Sequence, residues 1–171
     1  MELHTASLTL RTVDASDIKE VARMWDWQNG QISAEKAKEA VLRMQDNHMK
    51  NKQGYIYHLC LAVYEKGGNC IIGWCGLDGQ CLPGNTVLFY SIHSDYRNKG
   101  YATQCAGRLL SYAFCEIGIS SISGGCDKNN LASFRVMKKI GMKQNAFEDN
   151  GDPLFFIDKE TYQKYAEQLN T

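Results

Sequence analysis

The chain has 171 residues, 44% of them apolar and 22% charged, which suits one globular domain with a full core. Its 19 Lys and Arg balance 19 Asp and Glu, so no net field draws it to nucleic acid or an anionic membrane, and any anion site must be local. Residues 1–10 hold no long apolar stretch and no run approaches the roughly 18 residues of a membrane span, so a cytoplasmic protein is expected.

Residues 7–13 alternate like an edge strand, with Leu8 and Leu10 on one side. Asp14 suits the N-cap of a helix whose Ile18, Val21, Ala22 and Trp25 share a face. The Asn29-Gly30 pair breaks that helix, and a second helix is expected from 34 to about 49. Its Ala37, Ala40, Val41 and Met44 form a thin apolar stripe, which places it on the surface or beside a cleft. Strands at 57–65 and 70–77 flank a Gly67-Gly68 turn and predict a hairpin. A third strand covers 86–93. It is followed by a helix at 100–117, a strand at 121–126, a helix at 130–140, a hairpin within 147–157 and a polar helix at 159–169. Antiparallel strands therefore come first and β-α-β-α-β follows. The expected fold is α+β: a single domain over 1–171, with a mixed, mostly antiparallel sheet of about seven strands and helices on both faces.

Seven cysteines is an odd count. Cys60, Cys75, Cys105 and Cys126 fall in apolar patterns and read as free thiols. Cys70, Cys75 and Cys81 are spaced five and six apart with no paired CxxC, so no metal is expected.

The chemistry concentrates after the third strand. Arg97, Asn98, Lys99 and Gly100 lead straight into a helix whose Ala102, Cys105, Ala106, Leu109, Leu110, Ala113 and Ile117 form one stripe. The first N–H groups of a helix lack partners and carry partial positive charge, so a phosphate placed there accepts their bonds. Gly100 lets it approach the backbone, and Arg97 and Lys99 add charge. A solvated basic turn with a glycine at positive φ is the plain alternative. The position between a strand and a close-packed helix favours phosphate. Neither GxGxxG nor GxxxxGK[ST] occurs. In residues 129–142, Asn129 or Asn130 can cap a helix and Gly141 can end it. Ser133, Val136, Met137 and Ile140 share one face, which sets a hydroxyl on the inward stripe; a first-turn serine bonded to nearby backbone is the plain account.

Together the two segments resemble the GNAT superfamily of acetyl-CoA-dependent N-acetyltransferases. Residues 97–102 match its pyrophosphate loop, R/Q-x-x-G-x-G/A. Asn130, Ser133, Val136, Lys139, Gly141 and Met142 match the later helix of its RimJ/RimL-like branch of ribosomal-protein N-terminal acetyltransferases. The opening "LTLRTVDASDIKEVARM" is similar to that branch as well. The likeness spans nearly the whole chain and is sharpest over 86–142.

The resemblance implies a sheet splayed between the strand ending near His93 and the strand ending near Cys126. Acetyl-CoA would enter that split. Its pantetheine arm would run along Tyr90, Ile92 and His93, and its pyrophosphate would sit on Arg97, Asn98, Lys99, Gly100, Tyr101, Ala102 and Thr103. The thiol end would reach Asn130 and Ser133. A backbone N–H at Ile92 would hold the oxyanion, and Ser133 would hydrogen-bond the sulfur. The tyrosine that many members place four residues before the motif glycine is Met137 here. Relatives often carry a glutamate just before the position of Ile92; here it is Ser91.

The expected reaction is direct transfer to a primary amine, on a small molecule or a protein N-terminus, in a ternary complex. Trp25, Trp27, Ser91 and the 26–33 and 147–153 segments would wall the acceptor cleft. His93 and Asp95 are candidates to take the amine's proton through water, and Glu148, Asp149 and Asp152 could attract a cationic acceptor. A ping-pong route through an acetyl-cysteine needs an activated thiol, and no cysteine has an adjacent histidine. A non-catalytic acyl-CoA-binding sensor would use the same loop. The chain is expected to act as a monomer or homodimer.

Overall fold

The computed structural model describes residues 1–25, 31–82 and 84–169. Eight strands form one sheet: β1 (Glu2–His4), β2 (Leu8–Arg11), β3 (His58–Glu65), β4 (Gly73–Leu82), β5 (Asn85–Ile92), β6 (Ser121–Gly125), β7 (Lys143–Phe147) and β8 (Pro153–Asp158), in the order β1-β2-β3-β4-β5-β6-β8-β7. Neighbours among the described residues are antiparallel, except that β5 and β6 run parallel.

Alternation along the central strands sorts side chains to two cores. Leu59, Leu61 and Val63 of β3 meet Leu88 and Ile92 of β5 on one face. That face is covered by α3 (Tyr101–Ser111), α4 (Leu131–Lys139) and Tyr162 of α5 (Lys159–Leu169). Ala62 and Tyr64 point the other way, under α1 (Ile18–Met24) and α2 (Ala34–Met49), whose Val21, Met24, Ala37 and Val41 close a second core. The thin stripe expected of α2 is what it buries: Ala37, Ala40 and Val41.

The sheet has eight strands rather than about seven. The extra one is β1, a three-residue edge whose Leu3 alone is buried, so β2 lies inside the sheet instead of at its edge. Three residues with one apolar position carry no readable period. The C-terminal hairpin also starts earlier than 147: β7 begins at Lys143 and is mostly exposed, as a polar edge strand can be. The long helix of 100–117 is α3 followed by a π-helical stretch, Tyr112–Ile117, which ends at Gly118 with φ 81°.

The parallel pair positions the site. β5 and β6 share register only at Thr86↔Ile122 and Val87↔Ser123. Beyond Val87, β5 runs on to Ile92 with β4 as its one partner among the described residues, so the sheet parts toward the C-terminal ends of both strands.

Candidate active site

The parting opens a cleft of about 450 Å³. Tyr90, Ser91 and Ile92 of β5 form one wall, and Ser133 and Val136 of α4 with its N-cap Asn130 form the other. The turn before α3 stands at its mouth, with Arg97, Asn98, Gly100, Tyr101, Ala102 and Thr103 in the lining.

The turn has a specific backbone. Asn98 has φ 62° and Gly100 has φ 77°, both left-handed. Gly100 is the N-cap of α3 and gives the helix no side-chain cap, so its first N–H groups face outward. A Cβ built on Gly100 meets nothing within 4 Å, so the space before it is open. Arg97 donates from Nε to the Ile92 carbonyl at 3.0 Å, which ties the turn to the end of β5.

The end of β5 exposes backbone to the cleft. The His93 N–H donates to the Ile72 carbonyl at 2.9 Å, on the β4 side. Backbone direction alternates along a strand, so Ile92 turns its N–H and C=O toward the parted β6 side. Arg97 reaches its carbonyl there. The side chains alternate too: Ile92 packs into the α3 core, and Ser91 lies one residue away, opposite Trp74 of the α1/α2 core.

Across the cleft, Asn130 caps α4 by accepting the Ser133 N–H on Oδ1 at 3.0 Å. The Ser133 hydroxyl lies 2.8 Å from the Tyr90 hydroxyl, which links the two walls. Burial pushes the Tyr90 phenol up to about 12, although its bond to Ser133 works the other way. Met137, one turn on from Ser133, is buried, and its methyl occupies the space beside Gly124, where a Cβ would come within 2.9 Å. It offers no proton.

Other expected residues lie elsewhere. His93 is outside the cleft lining; its Nδ1 accepts the Asp95 N–H at 3.4 Å and its ring meets Tyr96 edge-on. The Lys99 side chain turns away to Glu65, 3.5 Å distant. Trp25 packs edge-to-face on Trp74 at 6.5 Å, on the α1/α2 side of the sheet where Ser91 lies, and is not in the lining of this cleft. Trp27 lies outside the described residues. Asp152 accepts from the Lys128 N–H and from Asn150 Nδ2, both at 2.9 Å, which folds the 148–152 tip onto itself.

The lining also holds Ala132, Arg135 and Tyr96, which the sequence pattern did not single out. Ala132, Arg135, Val136 and Lys139 form an i, i+3, i+4, i+7 stripe on the flank of α4, and Tyr96 completes the mouth. That periodicity is visible in the sequence, but half of it is cationic and escapes a search for apolar stripes. Among the described residues the lining includes no Asp, Glu or His.

Three of the described thiols are raised rather than activated. Burial pushes Cys60 up to about 12 and raises Cys126, which lies by Ser133. Cys75 is raised by its bond to Cys105 and by burial. Among the described residues, no group of three or more His, Cys, Asp or Glu gathers as metal ligands would.

A sheet parted at one parallel pair, with a left-handed turn and an uncapped helix start at its mouth, defines the fold class of acyl-CoA N-acyltransferases. The family model described as an acetyltransferase (GNAT) domain matches residues 7–143. The chain belongs to this GNAT acetyltransferase family. It is 38% identical over 81 residues to the uncharacterized N-acetyltransferase YnaD of Bacillus subtilis, covering 41% of this chain and 48% of that protein. The chain spans about half the length of the curated relatives it matches. Among solved structures, the ribosomal-protein-S5-alanine acetyltransferase of Vibrio fischeri superposes with a TM-score of 0.76 at 17% identity, over 95% of this chain and 98% of that one. RimL, a ribosomal L7/L12 α-N-protein acetyltransferase in complex with coenzyme A, gives 0.73 at 15% identity, over 94% and 99%. At such identities these two likenesses bear on the fold alone.

Proposed function

We propose that the chain is an acetyl-CoA-dependent N-acetyltransferase that transfers acetyl directly to a primary amine, and that its acceptor is an α-amine such as a protein N-terminus. The observation that carries this is the joining of three elements in one cleft: the outward N–H groups of α3, the cleft-facing backbone of Ile92 and the Ser133 hydroxyl.

The residues present suit the coenzyme. The Gly100 turn and α3 start would take the pyrophosphate, with Arg97, Arg135 and Lys139 supplying charge. Ala132 and Val136 offer an apolar wall to the pantetheine arm. The bound thioester would supply an activated acetyl group. The Ile92 N–H would stabilise the oxyanion, and Ser133, held by Tyr90, would hydrogen-bond the departing sulfur. A thiol of pKa ~8.5 needs little more than that bond.

Ser91 belongs to the α1/α2 side of the strand, which supports entry of the amine from the face opposite α3. The described lining of the coenzyme cleft includes no Asp, Glu or His, and in this reading the amine arrives neutral or loses its proton to water. At pH 7.4 an α-amine of pKa ~7.8 is roughly a quarter neutral, whereas an alkylamine of pKa ~10.4 is about a thousandth neutral. This difference favours the α-amine.

The test is acetylation over a panel of peptide N-termini, amino acids and alkylamines, read by mass and by thiol release. For the amine, kcat/KM should rise with pH and level near the acceptor's own pKa, with peptide N-termini ahead. Preference for alkylamines, with a plateau near pH 6–7 for every acceptor, would point to a protein base and sink the α-amine assignment. Coenzyme binding without turnover on any amine would favour the sensor instead.

A further inference from the structure

We infer that Glu65, the last residue of β3, is a positioning residue for the coenzyme: one carboxylate clamps both residues that flank Gly100 and holds the turn in its anion-accepting shape. The inference rests on the acetyl-CoA assignment of the cleft.

Lys99 and Tyr101 follow Glu65 by more than thirty residues, yet both side chains end on it. The Tyr101 hydroxyl donates to Glu65 Oε1 at 2.5 Å, and Lys99 Nζ stands 3.5 Å from the same oxygen. Lys99 is also held between rings, 5.2 Å from the centre of Tyr96 and 5.7 Å from that of Tyr101. The Tyr101 bond, helped by Lys99, keeps the Glu65 carboxyl below its ordinary range, so it stays ionised at neutral pH. The end of β3 that carries Glu65 is paired with β2, Leu8 standing opposite Glu65, which anchors the clamp to the sheet. A second tether fixes the same helix end: Gln104 Oε1 accepts from Thr5 Oγ1 at 2.7 Å and from the Ser7 N–H at 3.1 Å.

The turn needs such fastening. Asn98 and Gly100 both sit at positive φ, and the start of α3 has no side-chain cap. Left-handed backbone persists where its surroundings hold it. Fixing the turn before the ligand arrives aims the N–H groups in advance and spares their ordering on binding.

Two roles for Glu65 predict opposite signs. If the carboxylate acts only as a charge, its removal takes away a repulsion and frees the Lys99 cation, so coenzyme A should bind more tightly. If it is a clamp, binding weakens. Glu65 is 39% exposed, so Glu65→Ala should leave the fold intact, and Tyr101→Phe removes the clamp's hydroxyl with no change of charge. Calorimetry with coenzyme A should show each variant weakened by about tenfold, the range of a hydrogen bond to a charged group. The double variant should be no weaker than the worse single one. In Glu65→Ala the acetyl-CoA KM should rise while kcat at saturation holds within about twofold. Glu65→Ala binding as tightly as the unaltered protein, or more tightly, overturns the clamp. If the unaltered protein itself fails to bind coenzyme A, the cleft assignment falls and the clamp with it.

Discussion

At Ser133 the backbone and the side chain serve different ends. Its N–H completes the Asn130 cap of α4, while its hydroxyl meets Tyr90 across the cleft. The cap was open to a sequence argument, because Asn130 and Ser133 stand three apart at a helix start. The Tyr90 partnership was not, because the two residues are 43 positions apart and only the parted sheet brings them together. In the proposed reaction Ser133 must donate to the sulfur, which requires Tyr90 to donate to Ser133. Ser133→Ala should lower kcat by roughly a hundredfold or less, near the low end for proton donors, with the acetyl-CoA KM moving only a few-fold. Tyr90→Phe should cost less, and adding it to Ser133→Ala should cost nothing further. Steady-state kinetics that leave kcat untouched in Ser133→Ala would reduce the residue to a first-turn serine.

At the next scale, β2 and α1 are joined by a charged cluster that sequence patterning passes over. Asp14 is legible as a cap, and it does accept the Ser16 N–H at 2.8 Å. Asp17 closes the reciprocal half of that box through the Asp14 N–H at 2.9 Å. It also receives Arg11 through two bonds, at 2.6 and 2.8 Å, and the Tyr64 hydroxyl at 3.1 Å. A buried carboxylate invites no notice in a sequence, since its Arg11 and Tyr64 partners come from β2 and β3. Burial works to raise the Asp17 pKa, but Arg11, Asp14 and Tyr64 together hold it below its ordinary value. A carboxyl depressed by folding contributes stability that is complete above about pH 5 and drains as pH falls through the unfolded and then the folded value. Asp17→Asn should cost about 3 kcal/mol at pH 7, the low end for breaking a buried pair whose arginine is partly exposed. Urea denaturation should show that penalty shrinking at pH 3. An equal penalty at both pH values would mean that packing, not ionisation, makes Asp17 matter.

For the molecule as a whole, the parted sheet follows from one topological fact. The antiparallel run β1–β5 meets the β6–β8 unit along a parallel contact of two residue pairs, and among the described residues nothing pairs the rest of β5 on that side. The order of strands and helices was readable from period and turn residues. The length of that contact was not, because it depends on the relative tilt of strands that lie far apart in sequence. Likewise, the 97–102 motif located the mouth of the cleft, but the direction of Lys99 away from it is set by Glu65, which the motif does not contain.

The central claim is that this turn receives the coenzyme's pyrophosphate, and the direct measurement is calorimetry of coenzyme A on Gly100→Glu beside Gly100→Ala. Both variants pay the same left-handed backbone cost, about 1–2 kcal/mol at φ 77°, so Gly100→Ala controls for strain. Only glutamate sets a carboxylate in the open space before α3. With circular dichroism showing both variants folded, Gly100→Ala should retain binding within roughly tenfold, while Gly100→Glu should lose it by at least about a hundredfold through like-charge repulsion. Unchanged affinity in a folded Gly100→Glu would contradict the assignment of this cleft to acetyl-CoA.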